Sequence, residues 1–195
     1  MRLAVPLPLP DAEIVFYPAF LELSECDRLF TELRQTIAWR HEAITLYGQS
    51  QLQPRLTAWY GDAGKSYRYS GLTMHPTPWT PLLLDLKEKV EAVSGVRFNS
   101  VLLNLYRDGN DSMGWHSDDE PELGRNPVIG SLSLGETRRF RLRHRREPTQ
   151  KQELALTSGS FLLMRGTTQH NWQHQVPKTK RRVAPRVNLT FRVIA

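Results

Sequence analysis

The second half of the chain is written in short runs of alternating polar and apolar residues, and this limits the fold more than any other feature. Residues 98–107, 128–134, 139–144, 153–156, 161–164, 170–176 and 186–194 are each strand-like and are separated by Gly, Pro and polar turns. Side chains of a strand point alternately to its two faces, so such runs between turns predict the strands of a sandwich or barrel. The reading is a mainly β fold, a jelly roll (double-stranded β-helix), with two helices laid on its outside. One helix carries Cys26, Leu29, Phe30, Leu33 and Ile37 at spacings of three and four, with Ser24 as its cap and Asp27 in the reciprocal position. The other opens at Thr80-Pro81 and turns Leu83, Leu86, Val90 and Val93 to one face. Residues 1–15 read as an extended arm, because Pro6, Pro8 and Pro10 forbid helix.

The last run is the most informative. Val187, Leu189, Phe191 and Val193 face one way, and Arg186, Asn188, Thr190 and Arg192 face the other. If that polar face lines a barrel interior, desolvating two guanidiniums costs several kcal/mol unless anions meet them. A dicarboxylate would do so through forked hydrogen bonds. Asn104 and Tyr106 share a face of an earlier run and add hydrogen-bonding groups for the same ligand.

That earlier run leads through a Gly-bearing turn to His116-Ser117-Asp118. In an extended segment an imidazole and a carboxylate two residues apart point the same way. They supply two ligands of the 2-His-1-carboxylate set, which holds non-haem Fe(II) and leaves positions open for reactants. His174 is the better placed third ligand, but His170, four residues earlier, would share its strand face, so spacing alone does not choose between them.

Charge and cysteine content narrow the class. Lys plus Arg number 26 against 20 Asp plus Glu, which favours a polyanionic partner. The single cysteine, Cys26, excludes an internal disulfide and any all-cysteine metal site and suits a reducing compartment. With no apolar run of spanning length and a proline-broken N-terminus, the expectation is a soluble intracellular protein without a membrane partner. Tyr47, Arg55, Trp59, Tyr60, Tyr67, Arg68 and Tyr69 surround the turn Gly61-Asp62-Ala63-Gly64, an interleaving suited to stacking on bases and pairing with phosphates. In the run 138–146, Phe140 and Leu142 point inward and Arg139, Arg141, Arg143 and Arg145 outward, four like charges that repel unless an anion lies across them. A second basic run, Lys178-Thr179-Lys180-Arg181-Arg182, lies in a loop.

Taken together, N-L-Y-x-D-G, then H-S-D-D-E, a late His and A-P-R-V-N-L-T-F-R resemble the AlkB family of Fe(II)- and 2-oxoglutarate-dependent nucleic-acid dealkylases, most nearly the branch of the second human homologue. The resemblance covers roughly Leu46 to the C-terminus. It implies one dioxygenase domain over 1–195, with a nucleotide-recognition region at about 40–75 and a jelly-roll core at about 98–195. It implies that His116, Asp118 and His174 bind iron and that Asn104, Tyr106, Arg186, Asn188, Thr190 and Arg192 hold 2-oxoglutarate, with O2 as the other reactant. By the same resemblance Tyr47, Gly48 and Gln49 form a finger that fills the gap left by a flipped base, and Arg55 and Arg68 line the nucleic-acid side. Tyr67 and Tyr69 stack on the base, and Asp119 and Glu120 lie in or beside the lesion pocket. Tyr47 stands where that branch places Phe, and Thr179 where a cation is expected. The implied activity is oxidative demethylation of 1-methyladenine and 3-methylcytosine in DNA, with RNA also possible as a partner. The expected protein is a monomer, cytoplasmic in a bacterium and nuclear in a eukaryote. An oxygenase of the same fold acting on RNA or a protein side chain, and a non-catalytic nucleic-acid-binding module, are the alternatives.

Overall fold

The computed structural model describes residues 3–46, 49–65, 67–69 and 72–195. In chain order the elements are β1 (Val5–Pro6), β2 (Glu13–Tyr17), α1 (Leu23–Thr36), β3 (Ala43–Leu46), β4 (Gln49–Leu52), β5 (Leu56–Gly61), β6 (Tyr67–Tyr69), β7 (Leu72–Met74), β8 (Thr77–Pro78) and α2 (Pro81–Ser94). There follow β9 (Ser100–Tyr106), β10 (Met113–His116), a 3-10 turn at Pro121–Leu123, β11 (Ile129–Gly135), β12 (Arg138–His144), β13 (Lys151–Leu156), β14 (Phe161–Arg165), α3 (Thr168–Asn171), β15 (Trp172–Val176) and β16 (Arg186–Arg192). The large sheet runs β1-β2-β14-β11-β16-β9-β5-β8 and the smaller one β10-β15-β12-β13, with the hairpins β3-β4 and β6-β7 apart from both. This is the jelly roll that the alternating runs predict. No helix among the described residues is long and apolar enough to cross a membrane.

The two faces of β16 go where its alternation sends them. Val187, Leu189 and Phe191 join Val101, Leu103 and Leu105 of β9 in a core that also takes in Cys26, Leu29 and Leu33 of α1 and Leu83, Leu86 and Val90 of α2. Burying side chains of this size contributes roughly 1.5–3 kcal/mol each, so the helices stay on the outer face of the large sheet. Between the sheets lies a second core with Ile129, Phe140, Leu142, Leu162, Met164, Trp172 and Val176. The polar face of β16 turns into this inner space.

Helix α2 starts as its sequence dictates, with Thr80 Oγ1 accepting from Leu83 N at 3.3 Å and Pro81 in the first turn. It ends at Gly95, whose φ of 69° is the left-handed conformation that a glycine adopts without strain. Helix α1 departs from expectation: Glu22 is its cap position, no side chain caps it, and Ser24 lies inside the first turn. The cause is upstream, where the N–H groups of Phe20 and Leu21 both donate to Gly159 O and so fix the approach of the chain to the helix. The arm is built of paired strands. Glu13–Tyr17 pairs antiparallel with Phe161–Arg165, and Val5–Pro6 pairs in turn with β2. The prolines exclude helix, but none lies within Glu13–Tyr17, whose N–H groups are free to cover the edge of β14.

Candidate active site

The pairing of β10 with β15 sets His116 directly opposite His174. Three residue steps from Met113 to His116 face only two from Val176 to His174, so β10 carries a bulge immediately before the site, a device that re-aims side chains. Asp118 lies past the end of the strand, in a bend. Convergence therefore comes from a tied-down turn rather than from strand alternation. Ser117 Oγ donates to Trp172 O at 2.9 Å, and Asp118 N donates to Gln169 Oε1 at 2.9 Å. His116 Nδ1 lies 2.8 Å from Gly114 O, which accepts its proton and leaves Nε2 with its lone pair toward the site. One donor atom from each of His116, Asp118 and His174 lies within 4.8 Å of the others. His174 Nε2 is 3.6 Å from Asp118 Oδ2, and its ring stacks on Phe140 with centroids 5.2 Å apart. His170 does not compete. It lies in α3, where its exposed ring bonds Asn126 Oδ1 at 3.0 Å, so the shared strand face expected for 170 and 174 does not form.

The protonation states suit a cation. Burial, then the neighbouring His116, pulls the His174 pKa down to about 3 against the attraction of Asp118, so its ring is neutral. For Asp118 burial works upward, but Arg192, His174 and His116 outweigh it and hold the carboxyl below its ordinary range. Two imidazoles and an ionised carboxylate are the donor set for a divalent transition metal.

Beside them lies an inner cavity walled by Asn104, Tyr106, Ser131, Phe140, Arg186, Asn188, Thr190 and Arg192 among others. Strand register builds this wall: Tyr106 pairs with Arg186, and Asn104 with Asn188. Thr190 Oγ1 donates to Asn188 Oδ1 at 3.0 Å, and Asn188 Nδ2 donates to Ser131 Oγ at 2.8 Å and Leu132 O at 3.1 Å. Arg186 is 1 % exposed; one terminal nitrogen donates to Ser133 Oγ at 2.9 Å, and Tyr106 beside it helps to hold its charge. Its Nε and other terminal nitrogen meet no acceptor among the described residues. Burial draws its pKa from 12.5 down to about 10. A buried guanidinium with two open donors in one plane fits a carboxylate. Arg192, the second cation of the strand, instead bonds Asp118 Oδ1.

An outer cavity shares Arg55, Leu102, Met113, His116, Asp118 and Arg192 with the inner one, and adds Glu42, Gln53, Thr57, Trp59, Glu120 and Leu123. Trp59 is held there by its Nε1 donating to Ser100 Oγ at 2.7 Å. Arg55, expected on the nucleic-acid side, lines the outer cavity as well as the inner one and is itself buried, with Nε donating to Asn104 Oδ1 at 2.7 Å. Of the acidic pair expected in or beside the lesion pocket, Glu120 lines the outer cavity, and Asp119 next to it is exposed and paired with Arg145 at 3.0 Å. Tyr60 is a core residue, 3 % exposed, with its hydroxyl accepting from Ala38 N. The four outward arginines of β12 find partners within the fold. Glu153 faces Arg139 and Arg141, Asp119 meets Arg145, and Arg143 bonds Gln173 and lies 4.2 Å from the Trp115 ring centre.

Tyr47 and Gly48 lie outside the described residues, as do the side chains of Gln49, Tyr67, Arg68 and Tyr69. Sequence reasoning missed Gln169, Ser131, Ser133, Glu42 and Gln53. The alternation in I-G-S-L-S-L-G could have flagged the two serines as inward polar residues; nothing in the local pattern marks Gln169.

A jelly roll with two histidines and an aspartate at one mouth, and an unpaired arginine on the floor below, defines the class of Fe(II)- and 2-oxo-acid-dependent oxygenases. The model of the 2OG-Fe(II) oxygenase superfamily matches residues 13–192. The alpha-ketoglutarate-dependent dioxygenase alkB homolog 3 of Homo sapiens is 43% identical over 96% of this chain and 68% of its own length. The DNA oxidative demethylase ALKBH2 of Homo sapiens is 40% identical over 91% of this chain and 72% of its own. The solved structure of OsALKBH1 superposes with a TM-score of 0.66 over 98% of this chain and all of its own, at 18% identity, a likeness of fold. The chain belongs to the AlkB family of the 2OG-Fe(II) oxygenases. It is a dioxygenase that uses Fe(II), 2-oxoglutarate and O2.

Proposed function

We propose that this dioxygenase removes N-alkyl groups from bases in DNA, with 1-methyladenine and 3-methylcytosine as substrates, and so repairs them directly. The observation that carries the reading is that two cavities meet at His116 and Asp118, which line both, with the buried Arg186 in one and Trp59, Glu42 and Glu120 in the other. DNA as the polymer draws support from relatives named as DNA oxidative demethylases and from the surplus of positive charge.

In this reading His116, Asp118 and His174 hold the iron, Arg186 takes the distal carboxylate of 2-oxoglutarate, and Asn104, Tyr106, Asn188, Thr190 and Arg192 surround it. When bound, the metal, cosubstrate and dioxygen supply oxidation of the N-alkyl carbon, with succinate and carbon dioxide as coproducts. The hydroxymethylated base then releases formaldehyde. Gly114 O holds the proton of His116 on Nδ1, so that ring presents Nε2 throughout. Arg192 keeps Asp118 ionised. Leu102 and Met113, on the walls of both cavities, limit water between diacid and base. These lesions block the pairing edge, so the base leaves the stack to react, and lost pairing lowers the cost of extruding it. Both methylated bases carry positive charge near neutrality, which the carboxylates of Glu42 and Glu120 favour over an unmodified neutral base.

The test is formaldehyde release from matched single- and double-stranded oligonucleotides bearing 1-methyladenine, alongside methylated RNA and peptide. Release from DNA that requires added iron and 2-oxoglutarate is expected. Turnover on RNA or peptide alone would replace the proposed substrate, and iron-independent binding without turnover would favour the non-catalytic module.

A further inference from the structure

Arg138 opens β12 and is 3 % exposed, and burial lowers its pKa as it does that of the cavity arginine. It does not line the inner cavity. Instead it lines a separate basic cleft with Arg139, Arg141, Lys180, Arg181 and Arg182. One terminal nitrogen donates to Asp108 O at 3.1 Å, and the other to Asp111 O at 2.9 Å and Pro177 O at 2.8 Å. A single side chain thus ties the β9–β10 turn to the start of the basic loop. The two segments touch independently at Gly109, whose carbonyl accepts from Thr179 N at 2.8 Å. A Cβ on Gly109 would stand 2.3 Å from Thr179 O, so the contact requires glycine. The Arg138 guanidinium also lies over the ring of Tyr106 at 5.5 Å from its centre, and the Arg186 guanidinium lies over the same ring at 5.2 Å. The Tyr106 ring, on the wall of the inner cavity, is thus shared by a cation of that cavity and a cation of the basic cleft, and the two guanidiniums lie close enough to repel.

We infer that Arg138 is a positioning residue that couples occupancy of the diacid cavity at Arg186 to the placement of loop 177–182. A dicarboxylate on Arg186 offsets the repulsion between the two buried cations, so Arg138 holds its three carbonyls more firmly and the loop with them. Linkage makes the effect reciprocal, and a loosened loop weakens the diacid by the same factor. The inference rests on the reading of Arg186 as the 2-oxoglutarate anchor.

The experiment uses the full chain loaded with Mn(II), which binds without turnover. Two readouts are taken: 2-oxoglutarate affinity by calorimetry, and the rate of tryptic cleavage at Lys178, Lys180, Arg181 and Arg182 with and without the diacid. In the wild type 2-oxoglutarate slows cleavage by about fivefold or more. In Arg138→Met cleavage is fast and indifferent to the diacid, whose affinity falls by a similar factor; Arg138→Lys restores part of both. Gly109→Ala, which separates the segments without touching Arg138, gives the same result and guards against misfolding of the first variant. Diacid binding in the wild type without loop protection, or protection that survives both substitutions, overturns the coupling alone. Absence of 2-oxoglutarate binding in the wild type overturns the anchor reading and the coupling with it.

Discussion

Replacing Arg186 with methionine tests whether that side chain exists for a ligand rather than for the fold. The drop of its pKa from 12.5 to about 10 corresponds to about 3 kcal/mol of penalty at neutral pH, each tenfold change in proton affinity being about 1.36 kcal/mol. Against this stand one charged hydrogen bond to Ser133, worth about 1.5–3 kcal/mol, and the Tyr106 ring contact, worth about 0.5–2 kcal/mol. The terms nearly cancel, so in chelator Arg186→Met unfolds in urea within about 1 kcal/mol of the wild type at pH 7. Truncating one member of a satisfied buried ion pair would instead cost about 3–5 kcal/mol. With Mn(II) and 2-oxoglutarate at a hundred times its dissociation constant, the wild type gains about 2.7 kcal/mol, and the variant gains nothing from the diacid. A loss of 3 kcal/mol or more in the unliganded variant, or undiminished stabilisation by the diacid, would refute the argument.

Other outcomes follow from the same structure. His174→Ala abolishes Mn(II) binding measured by calorimetry, whereas His170→Ala, altered outside the triad, leaves it unchanged; the reverse order would reassign the third ligand. Burial pushes the Asp111 carboxyl upward, but three hydrogen bonds from Arg107 and the charge behind them outweigh it and lower its pKa. Its contribution is therefore present above the unfolded carboxylate pKa and is lost as pH falls through the depressed folded value. Asp111→Asn destabilises the protein at pH 7, and the gap from the wild type narrows in denaturation curves taken below about pH 4. Leu86→Ala, at a fully buried position of α2, costs about 2–5 kcal/mol in urea unfolding, with 2-oxoglutarate affinity at fixed Mn(II) retained.

Much of this protein is legible from local pattern, because local pattern is what period and capping encode. The alternation of Arg186, Asn188, Thr190 and Arg192 against Val187, Leu189 and Phe191 fixed which side chains enter the barrel, since a strand has only two faces. Thr80 and Pro81 marked the start of α2 through chemistry confined to a few neighbouring residues. His116 and Asp118 were visible as a pair because they lie two residues apart, but a turn tied to Trp172 and Gln169, not strand alternation, brings them together.

What pattern could not decide are distances between residues remote in the chain. Whether His170 or His174 completes the triad turned on α3 taking the first two residues of the run 170–176, and on the β10–β15 register that sets His174 across from His116. That Arg55 is interior, that Asp119 bonds Arg145 and that Gln169 holds the backbone of Asp118 each depend on which strands come to lie side by side. Composition and periodicity specify faces, and therefore what is buried. Only the packed chain specifies which buried groups meet, because that depends on register and on turns whose geometry is set by contacts from elsewhere in the fold.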